Sequence, residues 1–168
     1  EVVASIQPLH SLVASVMQGV AEPLLLVRGG ASPHDYALRP SDARALADAR
    51  VVFWIGPELE TFMVKPLQNA QGEVRSIALL DAPGVTVLPL RSGGAREVRQ
   101  DGPGHGHGAN TGRDAHIWLD PSNAAAMARR VVAVLGEADP EHRADYERNG
   151  SLLIERLEEV NRRLAAEL

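Results

Sequence analysis

Cysteine is absent from this 168-residue sequence, which excludes a disulfide framework and any thiolate metal site. A metal here would have to be held by His nitrogen and carboxylate oxygen. Lysine is nearly absent too, with Lys65 the single instance, and the net charge is -5. Nucleic-acid binders rely on clustered Lys and Arg against phosphate, so that class is excluded and a cation is the easier partner. No apolar run is long enough to span a membrane. The chain starts Glu1-Val2-Val3-Ala4, without Met, a basic leader or a long apolar stretch, as expected of a processed or trimmed chain. No Gly-x-Ser-x-Gly or His-Glu-x-x-His motif occurs, and Gly29-Gly30-Ala31-Ser32 lacks the Lys and spacing of a phosphate loop. Catalysis has no positive sign.

What is present is a globular composition, 45% apolar and 23% charged, with Gly and Pro spread between apolar runs. The length suits one domain, or a lobe with an appended element. Val-, Ile- and Leu-rich runs at residues 2–6, 24–28, 51–56 and 75–80 read as strands. Helices are expected between them at 8–20, 41–49 and 58–70. The first carries apolar Leu9, Leu12, Val13, Val16 and Met17 and stops near Gly19. Apolar strands alternating with helices imply an α/β fold, a parallel sheet covered on both faces.

A further extended segment, 85–90, precedes a Gly-, Arg- and His-rich stretch at 91–113 that reads as a flexible surface loop. Residues 115–119 are expected to be extended. Asp120 then caps a helix with Pro121 at its first position, running to about Gly136. Residues 140–168 read as one long amphipathic helix, with a kink expected at Asn149-Gly150. Such a helix either folds back across the lobe or awaits a partner, and self-association through it is one expectation. The division expected is a lobe at 1–138 and a linking helix at 139–168.

Of six histidines, two stand out by position. Ligands of open α/β sheets gather beyond the carboxyl ends of the strands. His34 lies there, after the second strand, and His116 lies just before a capped helix. Two neutral imidazoles with one or two oxygens would satisfy tetrahedral zinc. Glu58 follows the third strand and could add a carboxylate, or simply complement a helix dipole in a first turn. Asp35 and Asp114 adjoin the two imidazoles and could orient them, or cap loops. His105 and His107, set among glycines, could hold metal loosely at an entropic cost, or be solvated linker. His10 reads as a helix-start residue and His142 as an exposed side chain. Trp54 and Trp118 read as core aromatics, Trp118 being placed to wall the site.

Four segments carry a family resemblance: residues 4–13 (Ala4-Ser5-Ile6-Gln7-Pro8-Leu9-His10), residues 30–42 (Gly30-Ala31-Ser32-Pro33-His34-Asp35-Tyr36), residues 54–60 (Trp54-Ile55-Gly56-Pro57-Glu58-Leu59-Glu60) and residues 114–121 (Asp114-Ala115-His116-Ile117-Trp118-Leu119-Asp120-Pro121). They resemble, in order, the zinc-specific periplasmic solute-binding proteins of ABC importers, the ZnuA-like or cluster A-I family. The resemblance implies an amino-terminal (β/α)4 lobe followed by a long carboxyl-terminal backbone helix. It implies that His34 and His116 are metal ligands, with Glu58 a carboxylate near the metal and residues 91–113 the counterpart of the family's His-rich loop. It also implies a periplasmic location, Zn²⁺ as bound ligand and a membrane permease as partner. The family's carboxyl-terminal lobe, which would supply further ligands, is not in this sequence, so an incomplete site is expected. Manganese or iron binding on the same scaffold is the alternative within the class. A metal-dependent hydrolase with Glu58 or Asp35 as base is the alternative outside it.

Overall fold

The computed structural model describes residues 1–70, 74–90 and 112–167. Four strands, β1 (Val2–Ala4), β2 (Leu24–Leu25), β3 (Val51–Trp54) and β4 (Arg75–Ala78), form one sheet in the order β2-β1-β3-β4. Every pairing is parallel. Parallel neighbours need crossovers, and α1 (Gln7–Val16), α2 (Pro40–Ala47) and α3 (Thr61–Asn69) provide them. After β4 come α4 (Pro121–Ala138) and α5 (Arg143–Glu167).

Side chains alternate across the strands, so the sheet feeds two cores. Ala4, Val51, Phe53 and Ile77 pack with Leu9 and Val13 of α1, Met127 and Val131 of α4 and Tyr146 of α5. On the opposite face Val3, Val52 and Trp54 pack with Leu46 of α2 and Met63 of α3. The result is the expected α/β lobe, three layers deep. The chain leaves β1 for β2 on one side and returns to β3 on the other. The carboxyl ends of β1 and β3 therefore flank a topological switch point, where open α/β sheets take ligands.

The terminal helix folds back. Tyr146 is buried, Asn149 Nδ2 donates to the carbonyls of Val16 (3.0 Å), the last residue of α1, and Gln18 (2.8 Å) just beyond it, and Arg129 of α4 pairs with Glu158 at 2.6 Å. Leu152, Val160 and Leu164 nevertheless remain exposed.

Several boundaries differ from expectation, each for a local reason. Gly150 does not interrupt α5, which is continuous. It is where α5 meets α4, and a Cβ there would overlap Val132 Cγ2. The strand expected to reach Leu80 ends at Ala78, and Leu79–Asp81 forms a 3-10 turn that buries Leu79 and Leu80. Residues 115–119 are not extended throughout: Ile117–Leu119 is a 3-10 turn, closed by the Leu119 N–H on the His116 carbonyl at 3.2 Å. The third helix begins at Thr61, not Glu58, because the Gly56 carbonyl takes the N–H groups of Leu59 and Glu60 in a separate turn.

Candidate metal centre

The switch point is built around a buried carboxylate. Glu60 is fully buried and accepts from the backbone N–H of Ile55 at 2.8 Å, the N–H of Gly56 at 3.0 Å and the hydroxyl of Ser5. It thus ties the end of β1 to the end of β3. Burial pushes its carboxyl up to about 7, although the three donated hydrogen bonds pull the other way. Sequence reading gave Glu60 no role, because position 60 falls inside the helix expected over 58–70 and nothing local marks its side chain as buried.

His34 sits in the exposed loop after β2, past two glycines in the left-handed region, Gly29 (φ 69°) and Gly30 (φ 73°). Its backbone N–H donates to Ser32 Oγ at 3.3 Å. His116 precedes the 3-10 turn that leads into α4, whose start is fixed by Pro121 and by Asp120 accepting from the Ser122 N–H at 2.7 Å. The two rings meet with centroids 5.6 Å apart and planes inclined by 44°.

Asp114 Oδ1 lies 3.0 Å from the His116 backbone nitrogen and 2.7 Å from its Nδ1, so one carboxylate oxygen holds both the main chain and the ring. With Nδ1 as donor, the imidazole keeps its lone pair on Nε2. Asp35 is exposed and makes no such bond among the described residues. The half-buried Trp118 packs on the core, with its ring 5.2 Å from that of His116. Beside His116 opens a cleft of about 340 Å³, bounded by Thr86, Leu88, Ile117, Leu119 and Asn123.

Glu58 is placed in the turn before α3, where its carboxylate is engaged by Arg113 Nη1 at 3.1 Å. Arg113 also reaches Asp81 at 2.7 Å and the Leu80 carbonyl at 3.4 Å. Among the described residues no three His, Cys, Asp or Glu side chains converge as a metal site. The imidazole pair is therefore a two-nitrogen arrangement, with Asp114 hydrogen-bonded to His116 and Glu58 paired with Arg113.

The remaining histidines separate cleanly. His105 and His107 lie outside the described residues. His10 Nε2 bonds the Pro23 carbonyl at 3.0 Å and so pins the approach to β2. His142 is not simply an exposed side chain: its Nδ1 pairs with Asp139 at 2.8 Å, and Tyr146 donates to the same carboxylate. Those hydrogen bonds hold the Asp139 carboxyl below its ordinary range. This cluster adjoins Val2 and Val51, at the amino ends of the strands, opposite the imidazole pair.

Residues 2–168 match the family model described as the periplasmic component A of zinc-uptake complexes. The chain is 42% identical over 198 residues to the high-affinity zinc uptake system protein ZnuA of Brucella abortus, covering 99% of this chain and 58% of that protein. A zinc-bound deletion mutant of ZnuA superposes with a TM-score of 0.78 at 27% identity, over 97% of this chain and 56% of the other. The manganese-bound periplasmic metal-binding protein of Candidatus Liberibacter asiaticus shares the fold, with a TM-score of 0.74 at 18% identity over 92% of this chain and 52% of that one.

These likenesses define the class as solute-binding protein, not enzyme. Within that class, the chain belongs to the zinc-uptake component A family, a periplasmic family. It spans 58% of the length of its Brucella relative.

Proposed function

We propose that this chain captures zinc through His34 and His116 and serves delivery of the ion to the permease of an ABC importer in the periplasm. The observation that carries the reading is the meeting of two imidazoles from segments far apart in sequence, one in the loop after β2 and one just before α4. Imidazole nitrogen suits zinc, and Asp114 on Nδ1 is the kind of outer partner that fixes a ligating ring and raises its basicity. Two nitrogens leave two tetrahedral positions open, to be filled by water, by Glu58 or by groups outside this chain. The site on this chain is thus a half-site, and its own affinity should fall short of that of a site with four protein ligands. Family membership supports zinc over manganese or iron as the cargo. The solute-binding class removes the support for a hydrolase.

Calorimetric titration with zinc tests the reading. The unmodified chain should bind one ion, and the variant carrying both His34→Ala and His116→Ala should lose that binding. Unchanged affinity in the double variant would overturn it.

A further inference from the structure

His34 rides on the stretch between β2 and α2, in which residues 26–39 belong to no helix or strand. The stretch turns through Gly29 and Gly30, and residues 28–32, His34 and Asp35 are exposed. The bond from the His34 N–H to Ser32 Oγ lies within the loop and ties it to no other element. Ordering such a segment around an ion costs conformational entropy, and each residue fixed beforehand lowers that cost.

Tyr36, two residues past His34, is half-buried and turns inward. Its hydroxyl donates to Asp42 Oδ2 at 2.9 Å, and its ring lies 5.2 Å from that of Phe62, inclined by 58°. The loop is thereby tied to α2 through Asp42 and to α3 through Phe62. Asp42 is itself buried, and the same Oδ2 accepts the Arg39 N–H at 2.9 Å where α2 begins. Its place is set by the helix, independently of the loop. Two residues of chain span at most about 7 Å, so the His34 backbone stays within that distance of Tyr36. The facing ring, His116, has its own anchor in Asp114.

We propose that Tyr36 is a positioning residue for metal capture: its bond to Asp42 and its seat on Phe62 hold the His34 loop on the body of the lobe, so that the His34 ring meets His116 before any ion arrives. Tyr36 touches no metal in this scheme. It acts by removing backbone freedom that zinc binding would otherwise have to remove. The proposal rests on the zinc-capture reading of the two histidines.

Five forms of the chain test it: unmodified, Tyr36→Phe, Asp42→Asn, Asp42→Ala, and Tyr36→Phe combined with Asp42→Ala. Zinc affinity would be measured by competition titration, and the contact between the two rings in the metal-free chain by the nuclear Overhauser effect between their protons. Tyr36→Phe keeps the ring on Phe62 but loses the bond to Asp42. It should weaken zinc binding by about tenfold, the scale of one loop residue's backbone freedom, and should diminish the ring contact. Asp42→Asn, which keeps an acceptor oxygen, should lose less affinity than Asp42→Ala. Adding Tyr36→Phe to Asp42→Ala should cost nothing further, because the bond is already gone. Circular dichroism of the metal-free variants establishes that each is folded. A folded Tyr36→Phe with unaltered zinc affinity or an undiminished ring contact would overturn the proposal. So would a further loss in the combined variant, or the absence of the ring contact from the unmodified chain. If His34→Ala and His116→Ala together abolish zinc binding while Tyr36→Phe behaves as unmodified, this inference alone fails. If the histidine substitutions leave zinc binding intact, the capture reading fails first.

Discussion

Asp114 and His116 are joined twice through one oxygen: Asp114 Oδ1 lies 3.0 Å from the His116 backbone nitrogen and 2.7 Å from its ring Nδ1. Orientation and tautomer of the imidazole are thus set by a residue two positions upstream. Asp114→Asn keeps an acceptor oxygen but loses the charge, and Asp114→Ala loses both. Zinc affinity should fall by about tenfold in the first and toward a hundredfold in the second, the range over which outer partners of metal ligands act. Competition against a chromophoric chelator measures this directly, and unmodified affinity in Asp114→Ala would show that the pair does not serve the site.

Glu60 gives folding a pH dependence with a definite sign. Burial raises its carboxyl from the ordinary 4.5 to about 7 in the folded state, so the folded chain holds this proton more tightly than the unfolded one. The resulting stabilisation is fully present below pH 4.5 and is lost as pH rises through 7. At about 1.4 kcal/mol per unit the loss is on the order of 3 kcal/mol. Urea unfolding of metal-free chain at pH 5 and pH 8 should show it, and Glu60→Gln should flatten the difference. An equal slope in Glu60→Gln would mean that other groups carry it.

Gly150 marks a close approach of α5 to α4. In an open helix Gly→Ala stabilises by up to about 1 kcal/mol. Here the added methyl would overlap Val132 Cγ2, and a β-branched side chain in a helix has little rotamer freedom to retreat. Gly150→Ala should therefore destabilise by about 1–3 kcal/mol, the usual cost of overpacking, and Val132→Ala in the same chain should recover part of it. Thermal unfolding of the single and double variants decides between steric contact and simple helix propensity.

The fold was legible where local pattern carries the signal. Val-, Ile- and Leu-rich runs named all four strands, alternation with helices named the parallel sheet, and Asp120-Pro121 named the start of α4. Strand-end reasoning put His34 and His116 on the same edge, and their rings do lie together. What escaped was set by contacts distant in sequence. Gly150 reads as a helix breaker until Val132 is seen opposite it. Glu60 has no local mark of burial until its side chain is found turned inward to Ser5, 55 residues away, as well as to the amides of Ile55 and Gly56. Arg113 closes a Gly-rich stretch that looked like unanchored loop, yet it is held by residues from two other turns. Local turns around Gly56 and His116 moved element boundaries by a few residues for a different reason: a short-range hydrogen bond to one carbonyl outweighed the apolar pattern.

If His34 and His116 together hold zinc, the ion lies between their two rings. Diffraction from a crystal of this chain grown with zinc, with data collected on both sides of the zinc absorption edge, tests it most directly. An anomalous peak is expected between the two rings, about 2.0–2.1 Å from one nitrogen of each. A zinc-loaded crystal with its anomalous density elsewhere, and none between His34 and His116, would contradict it.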